Sequence, residues 1–349
     1  MTSTNSTLLA QPSIDDVERA VALATRAPSI HNTQPWRFVL TADALELWAD
    51  RRRQLATADL DGRALLVSCG GALYLAGLGL AAQGWRTVTE RLPDPAEPDL
   101  LARIRVIGRQ PTGGRVPRAA AAAERRRTER RPFGPGVVSI ELLDVLCAAV
   151  EDRALYAHLV VRPDERLDLA VAVSWADGLE AGDAAFQAEL ACWVRPDAGT
   201  AGEGVPTTAV PHVPAGQPRH TEVPVRDFEV GTPGGQELAG GAEEQDVDEQ
   251  PAYLVLFSRD DDTATRLRSG EAYARLSVEA ERLGLASSPI TQALDLPGVR
   301  SRLQALMSWP DHPQMILRVG WPPAGDSAPP TDRRPIAAVL TVTRPDVPC

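Results

Sequence analysis

Between Ala27 and Phe38 the chain sets two prolines, two side-chain amides, a histidine and a tryptophan in one short run, Ala27-Pro28-Ser29-Ile30-His31-Asn32-Thr33-Gln34-Pro35-Trp36-Arg37-Phe38. Pro28 and Pro35 fix their own φ and bias the residues before them away from helix, so the chain must leave any preceding helix here and run irregularly into a strand. Asn32 and Gln34 then stand in a pre-set loop. Each amide offers a carbonyl acceptor and two N–H donors, which suits the edge of a flat heterocycle that alternates acceptors with N–H groups. The same spacing also fits a helix stop with Asn at the C-cap followed by an ordinary buried Trp. His31 could donate a proton to a bound substrate or simply fix the loop by hydrogen bonding.

A second set of polar groups is cationic. Arg126-Arg127-Thr128-Glu129-Arg130, with Pro132 and Phe133 beyond, follows an alanine-rich stretch. Guanidinium forks bind phosphate oxygens in pairs, and Thr128 adds a hydroxyl donor. A solvated charge run at a helix end is the alternative. Two further segments complete the set: Gly284-Leu285-Ala286-Ser287-Ser288-Pro289-Ile290, which is also readable as a helix C-cap and loop, and Arg333-Arg334-Pro335 after Gly320-Trp321-Pro322.

These groups need elements to hold them. Ser13 as N-cap and apolar residues at helical spacing predict a first helix over 15–26, and alternating polarity around Thr41-Ala42-Asp43-Ala44 predicts a hairpin over 36–50. A long small-residue helix is expected over 61–83, then strands over 86–90 and 103–107. After a Pro/Gly-rich linker at 108–116, helices are expected over 117–127 and 139–150, a strand over 154–161, and a helical stretch over 166–195 broken near Ala176-Asp177-Gly178. Residues 196–250 are rich in Pro, Gly, Glu and Asp with little periodicity and cannot form much core. Such a loop in a compact protein covers something or is disordered. Strand 253–257, helices 262–283 and 297–309, strand 314–319 and a tail strand 336–342 follow. Gly77-Leu78-Gly79-Leu80-Ala81-Ala82 matches a dinucleotide-loop pattern, yet it falls inside a predicted helix, where helix–helix packing explains it.

Pro28-Ser29-x-x-Asn32-x-Gln34-Pro35-Trp36 resembles the Pro-Ser-x-x-Asn-x-Gln-Pro-Trp signature of the FMN-dependent nitroreductase family. The His before Asn32 and the later Ser68-Cys69-Gly70-Gly71-Ala72-Leu73 are similar to the Acg-type NAD(P)H nitroreductases in particular. The resemblance implies an α+β fold, a nitroreductase-like unit duplicated in one chain, with antiparallel-type sheets flanked by helices around long central helices. The family is built as obligate homodimers with flavins between subunits, and Gly71-Ala72-Leu73-Tyr74…Gly84 echoes Gly270-Glu271-Ala272-Tyr273…Gly284. A fused pseudo-dimer is therefore expected, with halves at 1–112 and 113–349 and a lid insertion at about 196–250, as a monomer or weak homodimer.

The resemblance also assigns roles. FMN phosphate would be held by Arg126, Arg127 and Arg333 with Thr128, and Arg130 would stabilise charge at the flavin edge. Pro28, Ser29, Asn32, Gln34, Ser288, Pro289 and Ile290 would contact the ring. Pro132 adds one residue before Phe133 relative to the family motif. The first half has Ile14-Asp15-Asp16-Val17 where cations would be needed, so one complete FMN site per chain is expected. The implied activity is hydride transfer from NAD(P)H to FMN and on to a nitroaromatic or quinone-like small-molecule acceptor. The rival is an FMN-storing protein whose lid prevents turnover.

Composition bounds the alternatives. The 349 residues, 44% apolar, can bury more than one core, and a net charge of −11 argues against a nucleic-acid binder. All 36 basic residues are Arg, which excludes Schiff-base chemistry, the P-loop and Ser-x-x-Lys hydrolases. Cys69, Cys147, Cys192 and Cys349 form no C-x-x-C pair, and a reducing cytoplasm is the expected compartment. His212 and His220 lack a metal-ligand context, so no metal is expected. The apolar run 64–82 approaches a membrane span in length, but its acidic and polar flanks favour a buried core helix and no membrane partner.

Overall fold

The structure is a computed structural model that describes residues 11–150, 154–195, 202–210, 223, 224, 226, 228, 250–325 and 330–343. Helix α1 (Ile14–Ala24) begins with a reciprocal cap: the Ser13 hydroxyl accepts from the Asp16 N–H and the Asp16 carboxylate accepts from the Ser13 N–H. A 3₁₀ turn (Ile30–Asn32) leads into the hairpin β1 (Trp36–Leu40) and β2 (Leu45–Ala49), closed by Thr41 N donating to Ala44 O. Helix α2 (Arg63–Ala82) and strands β3 (Trp85–Arg91) and β4 (Leu100–Arg109) follow.

Next come α3 (Arg115–Arg125), α4 (Ile140–Ala148), β5 (Leu155–Val160), α5 (Pro163–Gly182), α6 (Ala184–Trp193) and the short parallel pair β6 (Val194–Arg195) and β7 (Val205–Pro206). The chain then forms β8 (Ala252–Ser258), α7 (Thr263–Arg282), β9 (Ala286–Ile290), α8 (Gln292–Asp295), α9 (Pro297–Leu306), β10 (His312–Gly320), α10 (Ile336–Val339) and β11 (Leu340–Val342). The fold is α+β. One sheet has the order β11-β1-β2-β4-β3 and the other β5-β8-β10-β9, all neighbours antiparallel except β11, which runs parallel to β1 with Phe38 opposite Leu340.

Helices α2 and α7, each 20 residues long, cross at the centre. A Cβ on Gly70 would lie 1.9 Å from Leu267 O, and one on Gly270 would lie 2.0 Å from Val67 O, so the two backbones touch where neither residue has a side chain. Helix α2 is apolar on every side because α1, α3 and α7 surround it; it is long and apolar enough to cross a membrane, yet most of it is buried in the protein. Gly79 is close-packed against α1, where an added Cβ would meet Ala20 Cα at 2.8 Å, so the dinucleotide-like pattern is a helix contact.

Several sequence expectations shift. The break expected near Ala176-Asp177-Gly178 is absent: α5 runs through Gly178, which is exposed and meets nothing, and the chain breaks at Asp183, whose carboxylate caps α6 through the Ala185 and Phe186 N–H groups. The 284–290 turn is half strand, because β9 is an edge strand on which Pro289 is tolerated. The expected tail strand 336–342 begins as a helical turn and only Leu340–Val342 pairs. Most of the expected lid at 196–250, with His212 and His220, lies outside the described residues; its described parts are 202–210, Val223, Pro224, Arg226, Phe228 and Gln250.

Candidate active site

The segment after α1 is held in a backbone form that ordinary side chains rarely take. His31, Asn32 and Gln34 have φ of 44°, 55° and 49°. Left-handed non-glycine residues in sequence are strained, and such strain persists only where the surroundings over-determine it. Here they do. Ser29 Oγ accepts from Gln34 N at 3.1 Å, Ser68 Oγ accepts from Ile30 N at 3.3 Å, and Arg53 Nε donates to Thr33 O at 2.5 Å. Asn32 Nδ2 donates to Gly204 O at 3.0 Å and Asp332 O at 3.1 Å. The Gln34 amide donates to Gly202 O at 2.6 Å and accepts from Arg334 N at 2.9 Å.

The cationic loop after α3 is strapped to the second sheet. Glu129 N donates to Ser287 O at 3.0 Å, Thr128 bridges Ser287, and buried Arg318 donates to Arg131 O at 2.9 Å beneath the Phe133 ring. The close approach of Phe133 to Gly320, where a Cβ would come within 2.3 Å, fixes the far end.

Between these two loops and the start of α8 opens a cavity of about 1200 Å³, its mouth included. Pro28, Ser29, Asn32, Arg126, Arg127, Thr128, Arg130, Ser288, Pro289 and Arg333 all line it, although they come from four separate stretches of sequence. The other two expected residues stand behind the wall. Gln34 is fully buried with its amide used on backbone groups of 202 and 334, and Ile290 is buried in the core beneath the second sheet. Sequence reading gave these amides a ring edge to face; fastening the neighbouring segments occupies Gln34 and the donors of Asn32 instead.

At one end of the cavity four guanidiniums converge. Burial, with Arg126, Arg26 and Arg127 pressing from the same side, pulls Arg333 down to about 9. Burial likewise lowers Arg126 and Arg127, each with neighbouring Arg charge adding to the effect. Arg333 is held by Thr25 O at 2.7 Å and Arg126 by Arg26 O at 2.9 Å, while the buried Arg126 Nε has no partner. Arg126, Arg127 and Arg333 remain charged at neutral pH. No carboxylate lines this end among the described residues, so an anion with several oxygens is the group that relieves it.

Arg130 stands between the two ends, pulled down to about 10 by burial and lying 5.3 Å from the Phe228 ring centroid. Beyond it lies a denser polar network. Asp295 accepts from Arg63 at 3.1 Å, Arg226 at 2.8 Å and Thr291 Oγ1 at 2.7 Å. Arg226 also pairs with Glu180 at 3.1 Å, whose carboxyl burial pushes up to about 7. His31 faces Phe228 edge-on at 5.9 Å and is held neutral, well below the usual imidazole range, by burial and then by Arg226 and Arg130. Sequence reasoning missed Arg26, Arg63, Arg226, Phe228, Tyr273, Gln292 and Asp295 here. Only Tyr273 had a signal, its place in the internal echo.

No family model matches the chain. It is 35% identical over 332 residues, 94% of this chain and 92% of the relative, to "Putative NAD(P)H nitroreductase Rv3131" of Mycobacterium tuberculosis. It is 32% identical over 334 residues, 95% of this chain and 97% of the relative, to "Putative NAD(P)H nitroreductase acg" of the same species. Among solved structures, the FMN-bound nitroreductase of Bacteroides fragilis matches 60% of this chain and 90% of its own at a TM-score of 0.36 and 13% identity. The NADPH:FMN oxidoreductase of Vibrio harveyi complexed with NAD+ matches 66% and 80% at 0.38 and 11%. Because the identity to the mycobacterial relatives runs nearly end to end in both partners, the chain belongs to the Acg-type nitroreductase family.

Proposed function

We propose that this chain is an FMN-dependent NAD(P)H oxidoreductase of nitroreductase type that binds one flavin in the cavity described above. The observation that carries the reading is the carboxylate-free cluster of Arg26, Arg126, Arg127 and Arg333, with an unpartnered Arg126 Nε, at one end of a cavity walled by the Pro28–Asn32 turn and by Ser288 and Pro289. A phosphate monoester is the anion such a cluster fits. Bound FMN would supply two-electron chemistry, accepting a hydride from NAD(P)H and returning reducing equivalents to a nitroaromatic or quinone-like acceptor.

The chain's own residues bind, orient and tune. Arg126, Arg127 and Arg333 with Thr128 hold the phosphate, and Pro28, Ser29, Asn32, Ser288 and Pro289 offer a rigid wall to the ring. Arg130, buried and cationic, favours added negative charge in the middle of the cavity. The reading includes a duplicated architecture with one working site: the two sheets share a strand order, and Asp15 and Asp16 stand at α1 where a second phosphate site would need cations.

Purified protein given FMN, desalted and then exposed to NADPH without oxygen tests this. Retained flavin that bleaches supports it, and no retained flavin overturns it. A storage role is the second reading, favoured by one observation: Val205, Pro206, Arg226 and Phe228, from the long insertion between β5 and β8, complete the cavity wall. Retained flavin that NADPH cannot bleach would select storage.

A further inference from the structure

The end of the cavity remote from the four-arginine cluster carries more buried donors than the protein satisfies. Asp295 accepts three hydrogen bonds: Oδ1 takes Arg63, and Oδ2 takes Arg226 and Thr291. What remains is Gln292 Nε2, Arg226 Nη1 and both ring nitrogens of His31, all buried without a partner on residues that line the cavity. Gln292 is 1% exposed and His31 7%. They form one patch, since Gln292 and Asp295 share a face of α8, Asp295 holds Arg226, and Arg226 acts electrostatically on His31.

Unpaired buried donors are costly to leave, and here Arg226, Arg63 and Arg130 bring three cations against two carboxylates, Asp295, which holds Arg63 and Arg226, and Glu180, which also pairs with Arg226. Neutral His31 can still offer one N–H. The field differs in source from that of the other end: His31 responds to Arg226 and Arg130, whereas Arg333 responds to Arg126, Arg26 and Arg127. We propose that Gln292, Arg226 and His31 receive a carboxylate of the electron acceptor, so that acidic aromatic acceptors are preferred over neutral ones of the same size. This rests on the flavin reading insofar as the ligand is an acceptor; the anion site itself stands on the patch.

The test is calorimetric binding of benzoate to FMN-loaded protein, together with NADPH-driven turnover of 4-nitrobenzoate and 4-nitrotoluene. Expected are measurable benzoate binding, weakened about tenfold by Gln292→Leu and at least as much by Arg226→Met, and unchanged by Arg127→Gln at saturating FMN. The KM for 4-nitrobenzoate should rise in the same two variants while that for 4-nitrotoluene does not. Absence of benzoate binding, or binding lost in Arg127→Gln and kept in Gln292→Leu, overturns the proposal. Gln292→Leu breaks no ion pair, so it decides even if Arg226→Met fails to fold. If the protein retains no FMN, the flavin reading fails, while benzoate binding to the flavin-free protein and its response to the same variants still decide the anion site.

Discussion

The connection between β1 and β2 is the tight turn at Thr41–Ala44, whereas the topologically matching connection between β5 and β8 spans residues 161–251 and contains α5, α6, β6 and β7. The strand orders around these connections agree. The orders β1-β2-β4-β3 and β5-β8-β10-β9 match, each with a 20-residue helix between its second and third strands along the chain, and the two helices meet glycine to glycine; the last two strands are joined differently, β3 to β4 by residues 92–99 and β9 to β10 by a connection that holds α8 and α9. The difference lies in what the longer connection brings to the cavity, namely Val205, Pro206, Arg226 and Phe228, which the short turn has no means to supply. The matching strand orders thus lay out the two sheets, and the long connection adds residues to the cavity wall.

The shared part is the easiest to break. Gly70→Ala and Gly270→Ala should each destabilise by about 3 kcal/mol or more, because the new methyl would press into backbone. Gly71→Ala, whose methyl would find neighbours only at 3.6 Å and beyond, should be neutral or slightly stabilising. Urea midpoints check all three, and a tolerated Gly70→Ala would mean that the helices can separate.

The unshared part comes next. Arg333→Met should weaken FMN about a hundredfold, on the order of 2–3 kcal/mol, while barely changing riboflavin, which lacks the phosphate. Asp16→Asn, in the first turn of α1, should leave FMN affinity unchanged. Fluorescence titration gives both, and a flavin stoichiometry above one per chain would undo the asymmetry.

Helix caps offer a smaller contrast. Ser13→Ala and Asp183→Ala should each cost about 1 kcal/mol. A single shared unfolding transition in both variants would place the insertion in the same cooperative unit as the frame. The smallest effect is in pH. Folded His31 titrates below its unfolded value, so the stability tied to its neutral form is fully present above about pH 6.5 and is lost progressively as pH falls from there toward the folded value. Between pH 7 and 6 the native protein should lose about 0.7 kcal/mol more than His31→Asn, Asn being chosen because it tolerates the left-handed φ.

How much of this was legible in sequence differs between the same regions. Helices α2 and α7 fall within two residues of their expected bounds, α2 because small and apolar residues over that length have few other arrangements and α7 because Asp262 caps its start and Gly284 follows its end. The insertion was misread at Gly178, where an exposed glycine cost little, and at Asp183, a cap that only its carboxylate marks. In the cavity Arg126 and Arg127 were legible because they stand in one cationic run, whereas Arg26, a lone cation just past the end of α1, was not. Arg63 and Asp295 were not, since their pairing joins residues 232 apart in sequence. Arg226 and Phe228 were hidden in a stretch whose composition promises no core.

The strand that completes the first sheet is β11, drawn from the end of the described chain and laid beside β1. During synthesis, then, the edge of β1 stays open while every other described element is made. The two sheets cannot be finished one after the other like beads on a string; the first is sealed last. A ribosome stalled before Leu340 would hold a chain with that edge unpaired, the kind of surface on which strands from other chains add.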